Sequence, residues 1–221
     1  MKLSPSTSRV ALSILVLCTV LLSGCTLATI RPLDPVTGKA IIGNEDQQFN
    51  AANYVAQLWD EQVIPVLHEQ ANDIMTVLAA LRADETGAAE QYGRHEGRQP
   101  YSFMVTGSGT ITEVNLESRA GLAPIDANGD GTADYALAIG PVIRGTALRD
   151  SLPFIQFNQF TNQMEYASVS NEMHARINTQ ILTPIGDLTS LNGKSVTFYG
   201  AFTLAELDQI IVTPAELTIS G

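Results

Sequence analysis

From Phe49 onward the apolar residues fall at helical steps. Val55, Trp59, Val63, Val66, Leu67, Ile74, Leu78 and Leu81 recur every three or four positions. One face of a helical segment is therefore apolar, as burial against a core requires. Pro65 lies inside the run, where it removes a backbone donor and crowds the preceding turn. A kink, or two helices meeting, is predicted near Val63. The polar stretch "RADETGAAEQYGRHEGRQP" (82–100) is expected to end the helical segment.

At Tyr101 the period changes from helical to alternating. "YSFMVTGSGTITEVNLES" (101–118) reads as a strand in which Gly107 and Gly109 mark a bulge or sharp bend. "AGLAPIDA" (120–127) and "DYALAIGPVI" (134–143) supply two more strands. Asp150 is predicted to cap a helix entered through Ser151-Leu152-Pro153. Farther on, Tyr166, Val169, Met173, Ile177 and Ile181 mark a helix of about five turns. "KSVTFYGAFTL" (194–204) and "QIIVTPAELTIS" (209–220) complete a β-β-β-α-β-β order. That is the order of an OB-fold, a small five-stranded barrel. The predicted class is α+β: a kinked helical segment (48–98) packed on an OB-like barrel (99–221).

The beginning of the chain carries an address. Residues 1–24 have a basic start (Lys2, Arg9), the apolar run "VALSILVLCTVLL" from Val10 to Leu22, and then "SGC". This is the layout of a secretory leader, and its apolar run is too short for a mature membrane span. Leu22-Ser23-Gly24-Cys25 resembles the bacterial lipobox, which implies lipid on Cys25 and a stable anchor through more than one acyl chain. Residues 25–47, with Pro32 and Pro35, are expected to form a tether. Thr26 after the cysteine leans the reading toward the outer membrane. Cys18 leaves with the leader, so no pair remains for a disulfide.

Charge narrows the partners. Twelve Lys and Arg face 23 Asp and Glu, and losing Lys2 and Arg9 takes the net charge from −11 to −13. Such a surface repels polyanions, and no basic patch with interleaved aromatics is present, so nucleic acid is excluded.

The segments "YVAQLWDEQVIPVL", "GPVIRGTALRDS", "FNQFTNQMEYASVSNEMH" and "LNGKSVTFYGAFTL…IIVTPAEL" together resemble a bacterial family of predicted periplasmic lipoproteins, catalogued as domain of unknown function 2291. The resemblance runs from about Phe49 to the C-terminus. It implies a lipid-anchored envelope protein, often encoded beside sugar-type ABC transporter genes, with no established activity and no catalytic residues to carry over. The implied partners are the membrane, through Cys25, and a component of such a transporter or its solute-binding protein.

Two constellations carry candidate chemistry. "DANGDGTADY" (126–135) places Asp126, Asn128 and Asp130 at alternate positions, followed by Gly131, Thr132 and Asp134. Ca2+ takes six to eight oxygens, and donors spaced by two can reach one centre around a tight turn. The loop resembles the calcium loops of FG-GAP and related β-repeat proteins. Ca2+ is therefore the cofactor it would take, as a staple between strands. The twelfth position is Leu137, so an EF-hand is excluded. The alternative is a Gly/Asx hairpin turn built from the same residue types. The second constellation is Arg144, Thr146, Arg149 and Asp150, with Asn158, Asn162 and Gln163 beyond. It could recognise a carboxylate, sugar or partner loop through an arginine fork, or it could be an internal cap and ion pair.

Catalytic signatures are missing. His68, His95 and His174 are scattered, and there is no H-E-x-x-H or G-x-S-x-G. "NGKS" (192–195) is followed by a strand where a phosphate loop needs a helix. A non-enzymatic accessory or binding protein is expected. The alternative is a calcium-stabilised structural or interaction module.

Overall fold

The computed structural model describes residues 49–220. The leader, Cys25 and the tether up to residue 47 lie outside them. Helix α1 (Ala51–Leu58) opens on Asn50, whose Oδ1 accepts the Asn53 N–H at 2.9 Å. A π turn (Trp59–Val63) joins it to α2 (Ile64–Gln70). Pro65 is the second residue of α2. The wider turn just ahead of it, with Ile64 N–H reaching Trp59 O, accommodates the bond that proline cannot make. The predicted break is thus an inserted residue's worth of helix, with the chain continuing along the same face.

Ala71 turns extended, and β1 (Asn72–Asp73) pairs in parallel with Val105 and Thr106. Asp73 then caps α3 (Ile74–Ala83), accepting the Thr76 N–H at 2.8 Å. The polar stretch expected to end the helical segment holds another helix, α4 (Glu85–Tyr92), capped by Asp84. Its buried apolar face is only Ala88 and Ala89, too small to register as a stripe. A two-residue strand β2 (Gly93–Arg94) follows.

The barrel is built from β3 (Ser102–Ile111), β4 (Leu122–Asp126), β5 (Tyr135–Ala138), β6 (Ser195–Thr203) and β7 (Ile211–Ser220). β3–β4, β4–β5, β6–β7 and β3–β6 pair antiparallel, whereas β5–β7 is parallel. The β3–β6 ladder closes the ring, giving the five-stranded OB-fold barrel. Between the third and fourth barrel strands run α5 (Ala147–Ser151), a single turn (Phe157–Gln159), α6 (Gln163–Ile177) and a π turn (Asn178–Leu182). Val169, Met173 and Ile177 are buried as the periodicity requires, but the regular helix stops at Ile177.

Inside the barrel Phe103 stacks on Phe202, centroids 4.8 Å apart, from directly paired positions of β3 and β6. The same continuous core takes in Val63, Leu67, Ile74, Leu78 and Leu81 from the helical segment. On the outside of β6 and β7, His68 of α2 pairs with Glu216, and its ring lies 4.3 Å from that of Tyr199.

Two local expectations are corrected. The β3–β6 register is unbroken from Ser102↔Thr203 to Thr110↔Ser195, so Gly107 and Gly109 form no bulge there. Gly107 is needed for close approach instead: a Cβ would stand 2.7 Å from Ile74 Cγ2, where α3 sits down on the sheet. Asp150 is not an N-cap but lies in the last turn of α5, whose N-cap is Thr146. The reason is that Asp150 is held by Arg149 and Tyr166 rather than by free helix N–H groups.

Candidate functional site

β2 and the loop after it (95–100), α5, the Phe157 turn and the start of α6 surround an open cleft of about 580 Å³. Its floor is a network around Arg149, a residue only 6% exposed. The Arg149 Nε and Nη2 both donate to Asp150 Oδ1, at 2.8 and 2.7 Å, and Nη1 donates to the Tyr166 carbonyl at 3.0 Å. The guanidinium carbon also lies over the Tyr166 ring, 3.5 Å from its centroid. Thr146 Oγ1 donates to Asp150 Oδ2, and the Tyr166 hydroxyl to Asp150 Oδ1 at 3.1 Å. Arg94 Nη1 donates to the Asp150 carbonyl at 2.9 Å, tying β2 to α5. A buried guanidinium and a half-buried carboxylate thus satisfy each other with three neutral groups, the combination that burial of charge demands.

Electrostatics follow from this packing. Burial, with the Asp150 charge adding and Arg149 opposing, pushes the Tyr166 phenol up to about 12, so it stays a donor. His174, farther along α6, is pushed down to about 4 by burial and the Arg149 charge, and is neutral near pH 7. The rim is more open. Phe157 is 41% exposed and meets the Tyr166 ring edge-on at 5.5 Å. Glu96 accepts the Phe157 N–H at 3.3 Å and holds that turn in place. Tyr166 in turn packs on Phe160, which packs on Phe49 at the start of the described chain.

Of the patch predicted from sequence, Thr146, Arg149, Asp150 and Gln163 line this cleft. Arg144 lines a different one. Asn162 caps α6, accepting the Glu165 N–H at 2.9 Å, and Asn158 is exposed on the single turn between the helices. The sequence reading missed Arg94, Glu96 and the loop to Pro100, which complete the cleft. Their signal was a concentration of charge in "GRHEGRQP" between two elements, and only the β2–β3 pairing brings it to α5.

In residues 126–134 the side chains turn onto the loop's own backbone. Asp126 Oδ1 accepts the Gly129 N–H at 2.7 Å and Oδ2 the Gly131 N–H at 2.8 Å. Asn128 accepts from Asp130 N–H, Asp130 from Thr132 N–H, and Asp134 from Ala127 N–H. Gly131 has φ +86°, as the sharp turn requires. Among the described residues no group of three or more His, Cys, Asp or Glu is placed to hold a metal ion. The N–H of Gly131, helped by that of Gly129, holds the Asp126 carboxyl below the usual carboxylate range.

The chain belongs to the family of predicted periplasmic lipoproteins known as domain of unknown function 2291, whose model matches residues 15–218. No curated protein matches it. Among solved structures it is similar to an OB-fold protein from Thermotoga maritima MSB8, with a TM-score of 0.64 and 18% identity. That likeness covers 79% of this chain and 100% of the other, and at this identity it concerns the fold alone.

Proposed function

We propose that this periplasmic lipoprotein is a non-enzymatic binding or accessory module, anchored through Cys25, whose recognition site for a small polar ligand is the cleft over Arg149 and Asp150. The observation that carries this reading is the preorganised floor: a buried guanidinium fixed on three sides beneath an opening rimmed by exposed Phe157 and Gln163. Such a floor fixes the ligand's orientation, and the ring offers it an apolar face. The non-enzymatic part is supported by the groups whose ionisation is clearly displaced. In the cleft this is Tyr166, whose phenol burial pushes up, away from the range where a general acid or base works at neutral pH, while Asp150 beside it is bound by Arg149, Thr146 and Tyr166. Association with a sugar-type ABC system is supported by the family resemblance and not by the site.

The test uses the mature lipoprotein in detergent, exposed to an envelope extract and washed, with retained small molecules and proteins read by mass spectrometry. The expected result is one polar compound held by the wild type and held about tenfold less by Phe157→Ala. Retention of a solute-binding protein would supply the transport partner. Conversion of the retained compound would overturn the non-enzymatic reading.

For residues 126–134 we propose a self-bonded turn, supported by the five side-chain-to-backbone bonds that need no cation. A depressed carboxyl contributes stability above its unfolded pKa of roughly 3.9 and loses it as pH falls through the lower folded value. Thermal melts should therefore fall below about pH 4, and fall less in Asp126→Asn, which has no charge to lose. In the same series at pH 7, Ca2+ added after chelation is expected to leave the melt unchanged. A Ca2+-specific rise that Asp130→Ala abolishes would make the loop a metal site.

A further inference from the structure

A second opening, of about 510 Å³, lies at the mouth of the barrel. β5 and β7 share only the pairs Ala136↔Ile211 and Leu137↔Val212. Beyond those pairs Ala138 and Thr213 line the opening. Its walls are the loop between β3 and β4, the loop after β5, and the loop between β6 and β7. In OB-folds the face of the second and third strands, flanked by the first-to-second and fourth-to-fifth strand loops, is where ligands commonly sit. The fold sets that placement, and the side chains present set its chemistry.

The walls are set before any ligand arrives. Ile139 and Gly140 both donate their N–H to the Gly121 carbonyl, at 2.9 and 3.1 Å, and Val142 N–H donates to Arg119 O at 3.0 Å. Asn115 and Leu122 exchange both backbone bonds, at 2.8 and 2.9 Å. Two exposed aliphatic side chains line the opening, Val142 (37%) on this frame and Ile211 (44%) at the start of β7. Two charged side chains line the same opening, Arg144 and Glu117. Whereas Arg149 is tied to Asp150 and Arg176 to Asp60, Arg144 is exposed and makes no ion pair among the described residues.

These groups select a class of ligand. Among the described residues no aromatic side chain lines the opening, so they supply no stacking platform of the kind a sugar ring or base would use. The strongly acidic chain disfavours polyanions. A guanidinium takes a carboxylate, a carboxylate takes an ammonium, and the branched side chains take an aliphatic group. We propose that the barrel mouth binds a small aliphatic amino acid, its carboxylate on Arg144, its ammonium on Glu117 and its side chain against Val142 and Ile211. The zwitterion carries no net charge, so the acidic surface does not repel it.

The experiment is isothermal titration of the mature lipoprotein in nanodiscs with L-leucine, L-leucinamide, which lacks the carboxylate, and 4-methylpentanoate, which lacks the amine. Leucine is expected to bind at least about tenfold more tightly than either analogue, as expected for losing one charged hydrogen-bonded contact. Arg144→Gln should remove the preference over the amide, and Glu117→Gln the preference over the acid. Both residues are exposed, so neither change should impair folding. Phe157→Ala, in the other cleft, should leave leucine binding unchanged. No heat with leucine, binding indifferent to Arg144→Gln and Glu117→Gln, or binding abolished by Phe157→Ala would each overturn the assignment.

Discussion

Asp150→Ala is expected to lower the stability of the domain by about 3–5 kcal/mol, the cost of leaving a buried charge without its partner. The Arg149 side chain is 7% exposed and that of Asp150 18%, so the guanidinium has little water to replace the lost contacts. The guanidinium would keep the Tyr166 carbonyl and ring but lose both bonds to the carboxylate. Thr146 and the Tyr166 hydroxyl would lose their acceptor as well. The loss comes from the uncompensated charge, and a second variant isolates it. Arg149→Met combined with Asp150→Leu removes both ions and should recover most of the loss, since apolar replacements of buried pairs are often neutral or better. Urea unfolding of the wild type, Arg149→Met, Asp150→Leu and the double variant closes the cycle, with Asp150→Ala measured beside it. A loss below about 1 kcal/mol for Asp150→Ala would mean that the pair behaves like a surface ion pair and that the cleft floor is wet.

This network also depends on contacts that no local sequence pattern states. The barrel order was legible because its strands alternate and its helix repeats at three and four, as Tyr166, Val169, Met173 and Ile177 illustrate. The break near Val63 was legible because Pro65 has one physical consequence in a helix. Helix α4 was not, since two buried alanines leave no stripe, and β1 and β2 were not, since two residues define no period. Asp150 looked like a cap because an aspartate before Ser-Leu-Pro has the same signature whether it caps a helix or closes an ion pair. Arg144 and Arg149 looked like one patch because they are five apart. Gly145, at φ +84°, turns the chain between them, and they line different clefts. The cleft's other wall arrives through pairing of β2 with β3, a long-range fact that no local pattern states. The oxygen spacing of residues 126–134 is plain in the sequence. Whether those oxygens would face a cation or their own backbone depends on the direction of each side chain.

Gly140→Ala should cost about 3 kcal/mol, the upper end of what overpacking does. A Cβ at this position would lie 2.2 Å from Gly121 N, 2.4 Å from Arg119 O and 2.7 Å from Ala120 C, all backbone atoms. Backbone held by its own hydrogen bonds cannot rotate aside, so relief requires breaking the bonds from Ile139 and Gly140 to Gly121 and from Val142 to Arg119. Gly107→Ala is the informative contrast. There the Cβ would meet Ile74 Cγ2 at 2.7 Å, Tyr135 Oη at 3.1 Å and Phe198 Cε1 at 3.2 Å, all side-chain atoms, so a small shift of α3 against the sheet relieves the contact without breaking a backbone hydrogen bond. Its cost should be the smaller of the two, about 1–2 kcal/mol. Chemical denaturation gives both numbers. If Gly140→Ala is the milder change, the 115–121 and 139–142 segments are not a rigid frame. The same variant bears on the barrel mouth, because parting those segments moves Glu117 away from Arg144 while leaving Arg149, Asp150 and Tyr166 in place. Loss of leucine binding with the other cleft's ligand still held would show that the mouth works through its fixed spacing, the property that distinguishes a built site from a gap between loops.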